Sequence, residues 1–131
     1  MKKAGLVFVF LWFLVGGIAH FALTDLEIRI VPPWIPWPRA TVLVSGVLEL
    51  LGAAGLLWPR TRRAAGIGLV VLTICVTPAN LFMLQRPDLF PGMPYALLLA
   101  RLPLQVGLLA LIWWAAVRMP YQPPRALRNS A

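Results

Sequence analysis

The sequence predicts an all-α integral membrane protein, an antiparallel bundle of four helices forming a single domain of 131 residues. Three observations predict it. Hydrophobic residues make up 60% of the chain and charged residues only 12%, against roughly 45–50% and about 25% in a soluble domain. Four apolar runs reach the roughly 20 residues that a helix needs to cross a bilayer core of about 30 Å. The basic residues gather in alternate loops, as topology signals do. A chain with so few charges and a mean hydropathy of +0.82 cannot cover a water-facing surface. An ordinary soluble enzyme, a disordered tail and a nucleic-acid-binding domain are excluded on that ground. The net charge of +8 would suggest a nucleic-acid partner in a soluble protein, but here the charges sit between apolar runs.

The first run covers residues 4–24, with His20 its strongly polar member. It opens on Lys2 and Lys3, as a secretory signal does. It is longer than a signal's apolar region of about 7–15 residues, and Ala19, His20, Phe21 and Ala22 offer no small-x-small cleavage site. It is read as a retained helix. The second run covers residues 40–58 and is interrupted by Glu49. The third covers residues 64–84, with Asn80 near its end, and the fourth residues 96–117, carrying Arg101 and Gln105. Backbone groups cannot stay unpaired in lipid, so each run should be helical. Short connections between four such helices predict antiparallel neighbours. Residues 118–131, with Pro120, Pro123 and Pro124, read as a flexible basic tail.

Lys2 and Lys3, then Arg60, Arg62 and Arg63, then Arg118, Arg125 and Arg128 fall on one side of this arrangement with no acid beside them. On the other side Arg29, Arg39 and Arg86 are balanced by Asp25, Glu27 and Asp88. The positive-inside rule places both termini in the cytoplasm. Trp34 and Trp37 then mark the outer interface, and Trp58, Trp113 and Trp114 the inner one. The arginines of residues 59–63 read as a topology anchor, with an anionic-lipid site as the alternative. Small residues should mark close helix approach: Gly16, Gly17, Gly46, Gly52, Ala53, Gly66 and Gly68.

Ionisable side chains in a membrane helix cost roughly 2.5–3.5 kcal/mol on insertion scales and call for a partner or a purpose. At a rise of about 1.5 Å per residue, Glu49 and Gln105 lie about 15 Å below the outer surface and Arg101 about 9 Å. His20 and Asn80 each lie one turn from an outer helix end. Arg101 and Gln105 share a helix face, as do Ser45 and Glu49, and Thr73, Thr77 and Asn80 form a stripe. The prediction is a polar pocket in the outer half of the bilayer, built from His20, Ser45, Glu49, Thr77, Asn80, Arg101 and Gln105 and centred on a Glu49–Arg101 pair. Pro78 and Pro103 adjoin it, and each should free a helix carbonyl. Thr73 and Thr77 are expected to bond back to their own helix. The loop of residues 25–39 carries four prolines and two tryptophans. It should lie along the outer interface over the pocket mouth, as an anchor or as a lid.

The pocket admits three readings. Glu49 and Arg101 could neutralise one another and lock the bundle. A planar, carbonyl-bearing ligand such as a quinone could take His20, Asn80 or Arg101 as donors. Glu49 could carry protons. No second His or Cys stands at ligand spacing, so no metal is expected. There is no Ser/His/Asp arrangement and no phosphate loop, so no catalytic residue is assigned. Cys75 is a single thiol, which removes chemistry that runs through paired cysteines.

GIAHF (Gly17–Phe21), IVPPWIPWP (Ile30–Pro38) and SGVLELLGAAGLLWPRTRRAA (Ser45–Ala65) resemble the DoxX-like family of small membrane proteins. TPAN (Thr77–Asn80) and RLPLQ (Arg101–Gln105) are similar to its later motifs, so that the resemblance runs over residues 5–117. It implies a four-helix protein of the bacterial inner membrane, associated with redox or oxidative-stress systems. It also implies that His20, Glu49, Asn80, Arg101 and Gln105 stand at motif positions. On this resemblance the expected role is an accessory or anchor subunit of a membrane redox system. A lipid bilayer, a redox protein and further copies of the chain are its expected partners. A structural or assembly protein without chemistry, and a small-molecule or proton transporter, are the alternatives.

Overall fold

The structure, a computed structural model, describes residues 2–118. Met1 and residues 119–131 lie outside the described residues, and with them nearly all of the expected tail, including Arg125 and Arg128. The described residues are helical almost throughout and contain no strand.

Helix α1 (Lys2–Ala22) passes through a bend at Leu23 into the single turn α2 (Thr24–Glu27) and a 3₁₀ turn at Ile28–Ile30. The Thr24 hydroxyl donates to the carbonyls of His20 (2.7 Å) and Phe21 (3.0 Å), taking up acceptors that the end of α1 leaves free. An irregular loop then leads to α3 (Pro38–Leu56), with Pro38 in the first turn, where its missing N–H costs nothing. Trp37, just before it, has φ 56°, a left-handed conformation that a bulky residue rarely adopts. Both the N–H and the hydroxyl of Thr41 donate to the Trp37 carbonyl at 3.0 Å and hold this corner. The base of the loop is closed by Arg39 and Asp25, paired at 2.7 Å on the surface.

Helix α4 (Pro59–Cys75) follows after Leu57 and Trp58 alone. The third helix thus begins five residues before the expected residue 64, because Pro59 starts a helix as readily as Pro38 does. Arg60, Arg62 and Arg63 stand in the first turns of α4 rather than in a link. Cations are disfavoured by the dipole at a helix N-terminus. Here the neighbouring helix end offsets this: Arg62 Nε donates to the Leu56 carbonyl (2.9 Å) and the Thr61 hydroxyl to that of Gly55 (2.7 Å), so both close the C-terminus of α3.

The expected third helix is also divided. It ends at Cys75, turns at Val76 and resumes as α5 (Thr77–Gln85), with Pro78 in the new first turn. Pro103 behaves differently and stays inside α6 (Tyr95–Ile112) without ending it. Helix α6 closes in a π turn at Trp113–Val117, whose last three residues are buried. Four segments are long and apolar enough to cross a membrane: Lys3–Ala22, Pro38–Leu56, Pro59–Gln85 and Tyr95–Val117. They match the four runs read from the sequence, with ends shifted by a few residues.

The dry core gathers Val9 and Phe13 of α1, Ala53 and Leu56 of α3, Leu69 of α4, Ile112 of α6 and Ala116 of the π turn. It lies toward the end of the molecule that carries Lys3, Arg60, Arg62, Arg63 and Arg118. At the other end α1 and α3 meet through glycines. A Cβ on Gly46 would stand 2.7 Å from the His20 Cβ, and one on Gly16 would stand 2.8 Å from the Glu49 carboxylate. Gly68, expected at a close approach, faces open space instead, with nothing within 4 Å.

Gly46→Ala must therefore push the helices apart at a point where no flexible side chain can yield. Overpacking of this kind costs about 1–3 kcal/mol. A methyl group on Gly107, exposed on α6, would meet nothing within 4 Å, and Gly107→Ala should be neutral or slightly stabilising. Thermal unfolding of the two variants in the same detergent checks the contrast: a lowered midpoint for Gly46→Ala only.

Candidate functional site: a cavity between two polar walls

A cavity of about 370 Å³ opens between α1, α3, the α4–α5 break and α6. Six of the seven residues expected at the pocket line it: His20, Ser45, Glu49, Asn80, Arg101 and Gln105. Thr77 stands behind Gln105 rather than on the wall. Each residue arrives there for a local reason. The last turn of α1 supplies His20. The glycine contact presses α3 onto α1 and brings Glu49 with it. The Val76 break turns Asn80 toward α6. The i,i+4 spacing on α6 sets Arg101 and Gln105 on one face.

One wall is acidic. Glu49 Oε1 lies 3.3 Å from His20 Nε2, in hydrogen-bond geometry. On the other side of the ring, Nδ1 lies 2.8 Å from Glu27 Oε2, out of alignment for a hydrogen bond, so that both atoms are buried without one. The three side chains are 18%, 22% and 13% exposed for His20, Glu27 and Glu49, so solvent reaches this wall only at its edges. Burial raises the Glu27 carboxyl above its ordinary value of 4.5, and the neighbouring His20 and Arg101 hold part of that rise back.

The opposite wall is a ladder of amides ending in a guanidinium. Arg101 Nε donates to Asn80 Oδ1 at 3.2 Å, and Asn80 Nδ2 donates to Gln105 Oε1. Gln105 Nε2 donates to the Thr73 carbonyl (3.0 Å) and to the Thr77 hydroxyl. The Thr73 hydroxyl donates to the Leu69 carbonyl of its own helix (2.7 Å), as expected, whereas the Thr77 hydroxyl reaches back across the Val76 turn from α5 to the Thr73 carbonyl of α4 (3.5 Å). Gln105 thereby ties α6 to the stretch just before the Pro78 break, where the helix ladder is interrupted.

The Glu49–Arg101 pair expected at the centre of the pocket does not form. Glu49 pairs with His20, and Arg101 with Asn80. The reason is the glycine contact, which encloses Glu49 against α1, while α6 leans on α5 across the cavity. Glu27 was not among the expected pocket residues, having been counted with the charges of an outer loop. A signal for it exists: His20 and Glu27 are seven residues apart, two helical turns on one face, provided the helix runs on past Leu23. The loop also contributes, through Ile30, Val31, Pro32 and Ile35, and so covers the cavity with apolar side chains. Trp34 and Trp37 of the same loop point outward, 70% and 78% exposed. Among the described residues no three His, Cys, Asp or Glu side chains form a group fit to hold a metal ion.

Two outcomes follow from these partners. In a double-mutant cycle, Glu49→Gln and His20→Gln should couple, by roughly 0.5–3 kcal/mol as contacting polar pairs do, whereas Glu49→Gln and Arg101→Gln should add. Unfolding in detergent measures both cycles. The raised Glu27 carboxyl means that the folded state holds its proton more firmly than the unfolded state. Its contribution to stability is therefore largest below 4.5 and declines as pH rises above that value. Glu27→Gln should abolish this part of the decline, so the variant gains on the parent protein as pH is raised, read as the difference in unfolding midpoint along a pH series.

No curated protein and no solved structure matches the chain. Residues 9–118 match the family described as "Domain of unknown function (DUF8561)"; the match takes in the last three long helical segments whole and the first from residue 9 on, and the protein belongs to that family.

Proposed function

We propose that the protein is a multi-pass protein of the bacterial inner membrane, an antiparallel four-helix bundle with both termini in the cytoplasm. In this reading it serves a membrane redox system as an accessory or anchor subunit, of the kind the DoxX-like resemblance implies, and its cavity takes a planar carbonyl-bearing ligand of the quinone class. The observation that carries the proposal is the cavity itself. It is large enough for an aromatic ring, walled mainly by apolar side chains, and flanked by hydrogen-bonding groups on two opposite sides. A quinone ring has carbonyls at opposite ends and wants a donor at each. Arg101 and Asn80 stand at one side and the Ser45 hydroxyl of α3 at the other, where both ring nitrogens of His20 are already turned to carboxylates. The membrane reading rests on the four apolar segments and on the distribution of basic residues, which gather at one end of the helices. A redox protein and further copies of the chain are the proposed partners beside the bilayer.

A structural role without chemistry is the second reading. The amide ladder favours it, because Asn80, Gln105, Thr77 and the Thr73 carbonyl satisfy one another and join α6 to the helix break without any ligand.

Native mass spectrometry of the protein extracted gently from its own membrane separates the two. A stoichiometric quinone is the expected result, and bulk lipid alone would leave the structural reading. Titration with a short-chain benzoquinone then tests the site. A hydrogen bond from a charged donor contributes about 1.5–3 kcal/mol, so Arg101→Leu should weaken binding roughly ten- to a hundredfold.

A further inference from the structure

Glu27, His20 and Glu49 form a row that runs from the outer end of α1 inward to the cavity. Carboxylate, imidazole and carboxylate alternate along it, with gaps of 2.8 Å and 3.3 Å. Glu27 belongs to α2, outside the four apolar segments, whereas His20 and Glu49 lie inside the first and second. We infer that this row is a route for protons between the outer aqueous face and the cavity, with His20 as the carrier. The inference rests on the proposal that the chain spans a bilayer; it does not depend on which ligand the cavity holds.

The geometry around Glu49 makes His20 its nearest proton carrier. Both carboxylate oxygens are turned toward α1: Oε1 meets His20, and Oε2 lies 2.8 Å from where a Gly16 Cβ would be. The absence of a side chain at Gly16 is what leaves room for it. On the outer side the cavity is covered by Ile30, Val31, Pro32 and Ile35, which carry no side-chain proton donor. The charged and titratable groups around the row are few. Glu27 faces His20 from α2 and Glu49 from α3. Arg101 of α6 acts on Glu27 across the cavity, and the Cys75 thiol of α4 lines it. Asn80 of α5 and Gln105 of α6 are neutral.

Inward transfer takes two steps. A proton leaves the Glu27 carboxyl for Nδ1, so that an O–H bond breaks, an N–H bond forms and the ring becomes imidazolium. The proton on Nε2 then passes to Glu49 Oε1, leaving a neutral ring and a protonated Glu49. The reverse sequence carries a proton outward and restores the first tautomer. Nδ1 and Glu27 Oε2 are close but not aligned, so a small rotation of the Glu27 carboxyl must precede the first step.

The test uses the full chain in lipid nanodiscs. Infrared spectra over a pH series identify the carboxylic acid band that Glu49→Gln removes, and rapid mixing with heavy water gives its rate of deuterium exchange. Proton transfer by a positioned side chain contributes about 10²–10⁴-fold to a rate, so His20→Gln and Glu27→Gln should each slow exchange at Glu49 by roughly tenfold or more. Added imidazole should restore the rate in His20→Ala, which a merely structural role for His20 would not allow. Exchange in these variants at the parent rate would overturn the inference. So would a Glu49 that takes up no proton at any pH at which the protein stays folded. If His20→Gln does not fold, Glu27→Gln at the outer end of the row decides alone. Quinone titration of the unmodified protein is read separately: exchange without quinone binding would sink the ligand proposal and leave the route standing, and the converse result would do the opposite.

Discussion

The contact of α1 with α3 through Gly16, Gly17 and Gly46 sets the rest of the molecule. Without side chains at these positions the two backbones come close, and the Gly46 Cα faces the base of His20. Glu49, one turn further along α3, is thereby enclosed against α1 and finds the imidazole. Because α3 is pressed to α1, the space left between this pair and the α4–α5 break and α6 becomes the cavity. Helix α4 follows α3 after two residues and closes its end with Thr61 and Arg62. The result is a molecule with two halves: a dry core of Val9, Leu56, Leu69 and Ile112 toward the basic end, and a polar cavity toward the other.

The cavity keeps its charges apart. The carboxylates of Glu27 and Glu49 share one histidine on the α1 side, while the Arg101 guanidinium is held on the α6 side by a neutral amide. A buried Glu–Arg pair would have drawn the walls together, and breaking such a pair leaves an uncompensated charge. With a polar neighbour for each charge on its own wall, the space between can exist without either wall collapsing onto the other.

Much of this was legible in the sequence. The four apolar runs gave the four long segments, since length and hydropathy depend on no neighbour. The i,i+4 spacings of Ser45 with Glu49 and Arg101 with Gln105 put those residues on one wall each. What was not legible is pairing. Helices that are apolar nearly all round carry no stripe to fix their rotation, so Glu49 could be set at a depth but not against a partner. The two prolines show the same limit. Pro78 stands in the first turn of a new helix and Pro103 inside an unbroken one, although both remove the same backbone donor. Glu27 is not legible as a pocket residue because its nearness to His20 depends on a bend at Leu23 that keeps the helical course. The early start of α4 turns on Pro59, whose preference for a first turn was there to be read.

The choice of partner for Glu49 also bears on how the chain is made. A ribosome delivers α1 first, then α3, and α6 last. His20 is thus already in place when Glu49 emerges, and the two can meet as a pair of adjacent segments. Had Glu49 relied on Arg101, a bare carboxylate would have waited through the synthesis of the whole third segment before its counter-charge arrived. Pairing the acid with the helix made before it, not after it, gives Glu49 a companion from the moment α3 forms.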